Sequence, residues 1–535
     1  MTTIFKNGRI FAPSDHSAPS GTEFADCMII KNDQISFVGS LKNINIPSDA
    51  TVIDLEDRVV LPGFIDAHVH ILQFGHSLRK VNLIDCTSLQ EIRDTISSYA
   101  KANPSVPRIL CRGWIQSSTK GIALASMLDD LDHRPIFIDS FDLHSMWCNS
   151  AALAEMGAHT APDVPGGKIH RDENGRASGL LDESALISLA WPYMESTYST
   201  EDKLSALELA ISAYSAAGYT GMVDMAMDEA TWEILNTYRQ DKGFPFHIAA
   251  HWLVPFSNDH EANLAYVDRA IELRKQTLGD PRLCIVGIKL ICDGVVDGCT
   301  AALFQPYTGK SDSEDTIWPS DMLKEVVHRA DAAKLQCAIH AIGDKAVNQA
   351  INVLAEVGTP GRRHRIEHLE LTTSEDAKRL GELGITASVQ PVHSDPALFK
   401  AWPGLIGHER CKRAFAYKEF ADGGAPLAIG TDAPTARHLP FPNLYNATTR
   451  RSALELESSD TVNECFGLGL SQAAAAATSG AAYARFADTW TGALKPGLSA
   501  DFVVVDMQWD VAQLLEAKVA QTWYRGLKVY DSKRT

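Results

Sequence analysis

Short apolar runs rich in β-branched residues recur along the middle of this chain and alternate with longer helical stretches. Eight of these runs lie near residues 62–68, 220–226, 246–252, 285–290, 336–340, 364–368, 385–390 and 427–432. Continuous apolar runs of this length are typical of strands buried in a parallel sheet. Strands that alternate with helices form βα units, and eight such units are typical of a closed barrel. The pattern therefore predicts an α/β fold, a (β/α)8 TIM-like barrel over residues 61–489.

Both ends of the chain carry a different pattern, in which short β-like runs alternate with turns. These runs lie at residues 4–10, 27–30, 35–39, 502–506 and 522–530. Two β-rich ends that flank an α/β body are predicted to join in one small composite β-sandwich domain, residues 1–60 and 490–535. Residues 71–217 separate the first two predicted barrel strands and have β-like and helical segments of their own. We expect this segment to be a large inserted subdomain after the first barrel strand.

Bulk composition limits the kind of protein. The chain has 535 residues, of which 45% are hydrophobic and 22% are charged, and its formal net charge is −18. This length exceeds a single compact core, and the acidic balance disfavours nucleic-acid binding, which needs basic patches. No window approaches the ~18 apolar residues of a membrane span. We expect a globular protein with a small-molecule substrate and neither a nucleic-acid nor a membrane partner.

The first residues and the cysteines bear on location. No basic stretch followed by an apolar one opens the sequence, so we expect no secretory signal. Ten cysteines are scattered between Cys27 and Cys465 without a Cys-x-x-Cys pair, which is typical of a reduced, cytoplasmic protein. For Cys292 and Cys299, which lie near the polar residues discussed next, buried packing is favoured over a catalytic thiol.

Polar residues interrupt the apolar pattern at the predicted strand ends. Residues 61–70 read Leu-Pro-Gly-Phe-Ile-Asp-Ala-His-Val-His, and His68 and His70, two positions apart, point to the same face of a strand. At the C-terminal end of a parallel barrel strand, that face looks into the barrel mouth, where two imidazoles can bind one metal ion. A His-x-His pair alone is weak evidence, because it also arises by chance.

Further ionisable residues close later apolar runs. They are Lys289, His340, His368 and Asp432. Because burial of an unpaired charge is costly, repeated ionisable residues at strand ends are not a core-packing pattern. Histidine and carboxylate ligands suit Zn²⁺ and related divalent ions. We therefore predict a metal site, and we expect His76, His393 and His438 not to be ligands.

The order of these residues resembles the amidohydrolase superfamily, which has His-x-His on the first barrel strand and a lysine on the fourth. Histidines on the fifth and sixth strands and an aspartate on the eighth complete that pattern. Further motifs make the chain similar to the third amidohydrolase family, which includes the N-substituted formamide deformylases. These motifs lie at residues 142–153, 339–347, 388–391, 431–434 and 494–506. The resemblance covers nearly the whole chain, implies the same barrel and sandwich, and is compatible with a homo-oligomer.

The resemblance also implies a set of ligands for one or two ions. The residues expected at the first ion are His68, His70 and Asp432, and those expected at the second are His340 and His368. Lys289 would carry a carbamate made with CO₂, whose two oxygens bridge both ions. The alternative is an ordinary ion pair between Lys289 and Asp293 or Asp432.

The expected reaction is hydrolysis of a non-peptide C–N bond, in which a metal-bound hydroxide attacks an amide or formamide carbonyl. Asp432 is the candidate proton shuttle, the role that the superfamily gives its eighth-strand aspartate. His144 is a candidate oxyanion donor. Trp147, Asp293 and Gln390 are predicted to bind the substrate or to shape its pocket.

Two alternatives to this reaction stay open. One keeps the metal hydroxide but changes the substrate to a lactone, a carbamate or a cyclic imide. The other is a non-catalytic assembly protein on the same barrel, which the complete ligand set disfavours because such relatives typically lose metal ligands. Aromatic residues expected near the barrel mouth favour an apolar amine in the substrate. They are Trp114, Trp147, Tyr307 and Trp402.

Overall fold

The structure is a computed structural model. The chain forms two compact units. The residues it describes are 2–12, 24–141, 143–164, 167–183 and 185–533. The larger unit comprises Met1–His70, Ile211–Ala433 and Arg437–Thr535, and the smaller unit comprises Ile71–Ala210 and Pro434–Ala436. Asp142, the first residue of the motif at 142–153, lies outside the described residues.

Within the described ranges, the centre of the larger unit is a sheet of eight parallel strands. In chain order they are Phe64–Val69, Tyr219–Met227, His247–Leu253, Leu283–Ile291, Gln336–Ala341, Arg365–His368, Thr386–Val389 and Leu427–Ile429. Each strand pairs with the one before it, and a parallel bridge between Val69 and Ala433 links the two edges of the sheet. This is an α/β TIM-like barrel, and each of the eight predicted strands overlaps one of these segments.

Helices separate the barrel strands along the chain. The longer ones are Thr200–Ala216, Glu229–Asp241, His260–Thr277, Ser320–Ala332, Asp344–Val357 and Ser374–Glu382, and Pro440–Thr449 follows the eighth strand. The shorter ones are Pro396–Phe399, Trp402–Ile406, His408–Cys411 and Tyr417–Asp422, and Leu470–Ala475, Ala476–Gly480 and Ala481–Ala484 come after the eighth strand. In Ser320–Ala332 the buried apolar residues recur every three to four positions, so one face of the helix packs inward.

Strands from both chain ends share a second sheet of the larger unit. From one edge to the other they are Leu527–Asp531, Lys518–Tyr524, Phe502–Asp506, Val59–Pro62, Thr2–Phe11, Phe24–Lys31 and Gln34–Gly39, with Thr51–Asp54 beside Thr2–Phe11. Phe5, Phe502 and Trp523 pack together in its core, with ring centroids 5.1–5.5 Å apart. That this sheet folds into a sandwich stays a prediction.

The smaller unit has its own sheet. Across the sheet, its strands in the described ranges are Gly167–Arg171, Ala177–Glu183, Ser145–Cys148, Ile136–Ser140, Ile109–Trp114 and Val81–Asn82. Its helices are Ile71–Ser77, Leu89–Ala102, Ser150–Glu155, Leu186–Ala190 and Trp191–Thr197. In the part of the chain that is described, no helix has the length and apolar character needed to cross a membrane.

Candidate metal centre

Four of the predicted metal ligands lie where barrel strands end. His68 is the fifth residue of the first strand, Phe64–Val69, and His70 directly follows that strand. His368 is the last residue of the sixth strand, and Asp432 comes three residues after the eighth. Because the strands are parallel, their C-terminal ends meet at one edge of the barrel.

Three of these side chains form a compact group of metal-binding atoms. One ligand atom from each of His68, His368 and Asp432 lies within 4.8 Å of the other two, and all three residues are buried. Nε2 of His70 is 3.2 Å from Oδ1 of Asp432, and Nε2 of His68 is 3.4 Å from the same oxygen. We call His68, His70, His368 and Asp432 the inner group.

Hydrogen bonds orient both histidines of the first strand. Nδ1 of His70 lies 2.7 Å from the carbonyl oxygen of Met225, which can only accept, so Nδ1 carries the proton. Nδ1 of His68 lies 2.7 Å from Oε2 of Glu367. A carboxylate or carbonyl that binds one ring nitrogen fixes the tautomer and leaves the other nitrogen for a metal. In both rings that other nitrogen is Nε2, which faces Asp432.

Glu367 is itself held by a buried arginine. Nε of Arg365 donates to Oε1 at 2.5 Å and its Nη2 to Oε2 at 3.1 Å, and both side chains are fully buried. Arg365 also donates to Ala67 O on the first strand and to Ser388 Oγ on the seventh strand. Burial alone would raise the pKa of Glu367, but the guanidinium charge holds it well below its ordinary value. The carboxylate next to His68 is therefore ionised.

Asp66 fixes the backbone on both sides of the inner group. It accepts hydrogen bonds from the backbone N–H of His68 at 3.2 Å and of Thr431 at 2.9 Å, and from the Thr431 hydroxyl at 2.5 Å. The next residue, Asp432, has a φ of 56°, a left-handed conformation that is uncommon for an aspartate. Burial raises the pKa of Asp66 to about 6. Asp66 was not singled out from the sequence, although its position two residues before His68, on the same strand face, was a signal that could have indicated it.

Lys289 and His340 lie near the inner group but outside the compact set of three. Lys289 is buried in the fourth strand, and burial lowers its pKa to about 8. The carboxylates of Glu367 and Asp432 attract its charge and partly offset the effect of burial. The ring of His340 is 4.4 Å from that of His368, centroid to centroid, and its Nε2 is 3.5 Å from Oδ1 of Asp293.

Two residues that the sequence did not single out as ligands lie beside the inner group. Nδ1 of His393 is 3.2 Å from Oε1 of Glu370, and its Nε2 is 4.0 Å from Oδ2 of Asp432. His368, Glu370 and His393 offer one ligand atom each within 4.8 Å of one another. His393 was expected not to be a ligand. In the structure it lies in a short helical turn after the seventh strand, Pro391–Ser394, and does not close an apolar run.

The two barrel residues predicted to contact substrate differ in their surroundings. Asp293 is buried and accepts backbone hydrogen bonds from Ala302, Ile342 and Gly343 at 2.8–3.0 Å, so it anchors a loop to the fifth strand. Burial raises its pKa to about 7. Gln390 is 1% exposed, and neither polar atom of its side-chain amide has a hydrogen-bond partner in the described chain. A buried, unpaired amide is costly, which suits a group that binds a ligand.

His144 and Trp147 lie in the smaller unit. Nδ1 of His144 is 2.7 Å from Oε2 of Glu183, which orients the imidazole. Trp147 is fully buried, and its indole N–H donates to Leu124 O at 3.0 Å. This environment is typical of a tryptophan in a packed core. The roles of His144 as an oxyanion donor and of Trp147 as a substrate contact stay predictions.

The aromatic residues expected near the barrel mouth are all buried. Each is at most 2% exposed: Trp114, Trp147, Tyr307 and Trp402. Trp402 donates its indole N–H to Asp297 at 3.1 Å, and the Tyr307 hydroxyl donates to Ala301 O at 3.1 Å. These side chains are therefore packed in the protein interior, and a role for them in binding an apolar amine stays a prediction.

Comparison with known proteins agrees with this geometry. A family model described as "Amidohydrolase family" matches residues 51–530. Protein LONG AFTER FAR-RED 3 of Arabidopsis thaliana is 29% identical, over 98% of this chain and 91% of that protein. The N-substituted formamide deformylase of Arthrobacter pascens is 24% identical, over 95% of both chains.

A solved structure shows the same fold. The crystal structure of an uncharacterized metal-dependent hydrolase from Pyrococcus horikoshii OT3 is similar to this chain with a TM-score of 0.75 and 24% sequence identity. The match covers 95% of this chain and 98% of that one. At this identity the likeness establishes the fold alone, and the fold does not determine the substrate.

Proposed function

Since this chain belongs to the amidohydrolase family, we propose that it is a metal-dependent hydrolase that cleaves a non-peptide C–N bond. The bond proposed is that of an N-substituted amide or formamide. The observation that carries the proposal is the inner group, in which three histidines and one aspartate converge at the C-terminal edge of the barrel. Similarity to a formamide deformylase at 24% identity supports the substrate class.

The inner group suits a divalent cation. Two Nε2 atoms face one carboxylate oxygen, and Nδ1 of the buried His368 has no hydrogen-bond partner in the described residues. Nitrogen and carboxylate ligands of this kind are those of Zn²⁺ sites. A bound ion supplies a Lewis acid that polarises the substrate carbonyl and lowers the pKa of a bound water.

Lys289 is proposed to carry a carbamate, which would offer two further oxygen ligands to the metal centre. Only a neutral amine reacts with CO₂. Burial lowers the pKa of Lys289 to about 8, so a useful fraction of the side chain is neutral near physiological pH.

Asp432 is the proposed proton shuttle. Its carboxylate is buried and lies against the His68 and His70 rings, where it would accept a proton from the attacking water and return it to the leaving nitrogen. The unpaired amide of Gln390 would bind the substrate amide.

Product analysis on a small panel tests the proposal. Protein reconstituted with Zn²⁺ is incubated with N-benzylformamide, a charged dipeptide or a simple lactone, and the released amines and acids are quantified by chromatography. We expect benzylamine and formate, little dipeptide cleavage, and activity that a chelator removes and Zn²⁺ restores. Lactone opening without amine release from any amide would support the alternative substrate class, and a preference for the dipeptide would contradict the proposal.

A further inference from the structure

We propose that Asn443 is a positioning residue, which keeps the side-chain amide of Gln390 free for the substrate and holds it against the loop that carries Asp432. The inference deepens the proposed function and rests on it, because it concerns how Gln390 and Asp432 are presented to the substrate. Asn443 lies in the helix Pro440–Thr449, which follows the eighth barrel strand.

The side chain of Asn443 bonds to the ends of two adjacent barrel strands. Its Oδ1 accepts a hydrogen bond from the Val392 N–H at 3.0 Å, just after the seventh strand. Its Nδ2 donates to the Gly430 carbonyl at 2.8 Å, directly after the eighth strand. The residue is 2% exposed. An amide carries a donor and an acceptor on one planar group, and here each of them bonds to a different strand end.

The bond to Val392 supplies a cap that Gln390 does not supply. Gln390 directly precedes the short helical turn Pro391–Ser394, and a side chain at such a position commonly accepts a hydrogen bond from the second or third N–H of the turn. The second N–H is that of Val392, which Asn443 binds. The Gln390 amide is buried and has no hydrogen-bond partner among the described residues. Asn443 thus leaves both polar atoms of this amide available to a ligand.

The bond to Gly430 fixes the neighbouring strand end. The N–H of Gly430 donates to the carbonyl of Val389, the last residue of the seventh strand, at 3.0 Å. Both polar backbone groups of Gly430 are therefore bonded, and Asp432 follows two residues later. Asn443 holds this stretch against the loop that bears Gln390, so that the proposed proton shuttle and the proposed substrate contact keep one spacing.

Asn446 offers a matched comparison on the same face of the helix. It lies three residues after Asn443 and is 1% exposed. Its Nδ2 donates to Asp395 Oδ2 at 3.1 Å and to Arg451 O at 2.7 Å. Replacing Asn446 therefore removes buried hydrogen bonds of the same kind but leaves those of Asn443 in place.

Steady-state kinetics of full-length, Zn²⁺-loaded variants on N-benzylformamide test the proposal. The single variants are Asn443→Ala, Asn443→Asp, Gln390→Ala and the control Asn446→Ala, and the two asparagine-to-alanine changes are each also combined with Gln390→Ala. Circular dichroism and thermal unfolding show which variants fold. Because a positioning residue acts through its partner, the effects of Asn443→Ala and Gln390→Ala on KM should not combine as those of independent sites do.

We expect Asn443→Ala and Gln390→Ala each to raise KM by about 10-fold, the effect of one lost hydrogen bond, and their double variant to match Gln390→Ala. Asn446→Ala should lower the thermal midpoint as Asn443→Ala does but keep the wild-type KM. Independent effects in the double variant, or an equal rise of KM in Asn446→Ala, would overturn the proposal.

Asn443→Asp decides the question where the alanine variant does not fold. Its carboxyl group keeps an acceptor for the Val392 N–H but no longer offers an amide donor to Gly430. We expect KM close to that of the wild type and a lower kcat, because only the Asp432 loop is released. A rise of KM as large as that of Gln390→Ala would overturn the positioning role.

Failure of the proposed function has a separate signature. Wild-type protein that binds Zn²⁺ but releases no amine would contradict the proposed hydrolysis. Crystal structures of Asn443→Ala and Asn446→Ala then test the inference without turnover. In Asn443→Ala alone, we expect the Gln390 amide to turn towards the Val392 N–H, since a buried donor without a partner is costly. An unmoved Gln390 amide in that variant would refute the inference.

Discussion

The orientation of one side chain at this centre depends on a series of buried hydrogen-bonding partners. His68 presents Nε2 to Asp432 because Glu367 occupies its Nδ1, and Glu367 stays ionised because Arg365 pairs with it. Arg365 is fixed in turn by Ala67 O and Ser388 Oγ. Ligand orientation is thus set by residues that never touch the cation, a common property of metal sites.

Replacing Glu367 tests this dependence. We expect Glu367→Gln to lower Zn²⁺ affinity by about 10–100-fold, because the amide keeps the shape but loses the charge that orients His68. It should also lower the thermal midpoint, since Arg365 is left buried without a counter-charge. Competition with a chromophoric chelator measures the affinity. The exposed Glu375→Gln serves as the control, and equal affinity in the two variants would contradict the role of Glu367.

The proton shuttle can be separated from substrate binding. In Asp432→Asn we expect kcat to fall by about 10²–10⁴-fold, the usual contribution of a positioned acid–base group, with substrate affinity changed only a few-fold. Turnover and substrate Kd are measured at saturating Zn²⁺, with metal content checked in the same samples. Retained kcat in a fully metal-loaded Asn variant would refute the assignment.

Part of the centre could be predicted from the sequence because His68, His70, His368 and Asp432 each follow an apolar run. Glu370 and His393 could not, because they lie in loops after the sixth and seventh strands. In such loops, the hydropathy pattern does not indicate which side chains lie on the same side, and only the folded backbone brings them together.

Among the secondary-structure elements, the contact between the first and eighth barrel strands positions the inner group. The backbone N–H of Asp432 donates to His68 O at 2.7 Å, and that of His70 donates to Ala433 O at 3.0 Å. The prediction extended the eighth strand to residue 432, whereas the strand is Leu427–Ile429. After Ile429 the backbone bonds to that of the first strand through these isolated hydrogen bonds, and Asp432 has a positive φ. The hydropathy pattern does not indicate that turn.

Close approach at Gly430 makes this contact possible. A Cβ at Gly430 would lie 2.5 Å from His68 N, so we expect Gly430→Ala to cost about 1–3 kcal/mol of unfolding free energy and to weaken Zn²⁺ binding. Gly404→Ala is the matched control, because no atom lies within 4 Å of its added Cβ. Urea unfolding measures the stability of both variants, and zinc titration measures their affinity for Zn²⁺. Equal stability of Gly430→Ala and Gly404→Ala would show that the two strands can separate without loss of stability.

For the whole molecule, the apolar runs predicted the barrel because its strands are buried on both faces. The first and fifth strands, for example, have no exposed residue. The strand pairing at the two ends of the chain was harder to predict, since a pattern of short apolar runs does not indicate which strands pair. In the structure Phe502–Asp506 lies beside Val59–Pro62, a pairing across more than four hundred residues that only tertiary packing selects. A β-sandwich form, an inserted subdomain and a homo-oligomer stay predictions.

The stability of the smaller unit should depend on pH through His76. This residue is 7% exposed and stacks on Tyr198, with centroids 3.9 Å apart. Burial, together with the Lys80, Arg79 and Lys203 charges, lowers its pKa from 6.5 to about 3. Between these values the unfolded chain binds a proton that the folded unit does not, so His76 makes stability fall as the pH drops from about 6.5 towards 3.

Replacing His76 by phenylalanine keeps an aromatic ring against Tyr198 and removes this titration. Between pH 6.5 and 4, we expect the free energy of unfolding to fall less steeply in His76→Phe than in the wild type as the pH is lowered. The two slopes should differ by up to about 1.4 kcal/mol per pH unit. Urea titrations at several pH values measure the difference. His133, whose side chain is 94% exposed, provides the control His133→Asn, which should follow the wild-type slope. Parallel slopes for His76→Phe and the wild type would mean that His76 takes up its proton without cost to the folded unit.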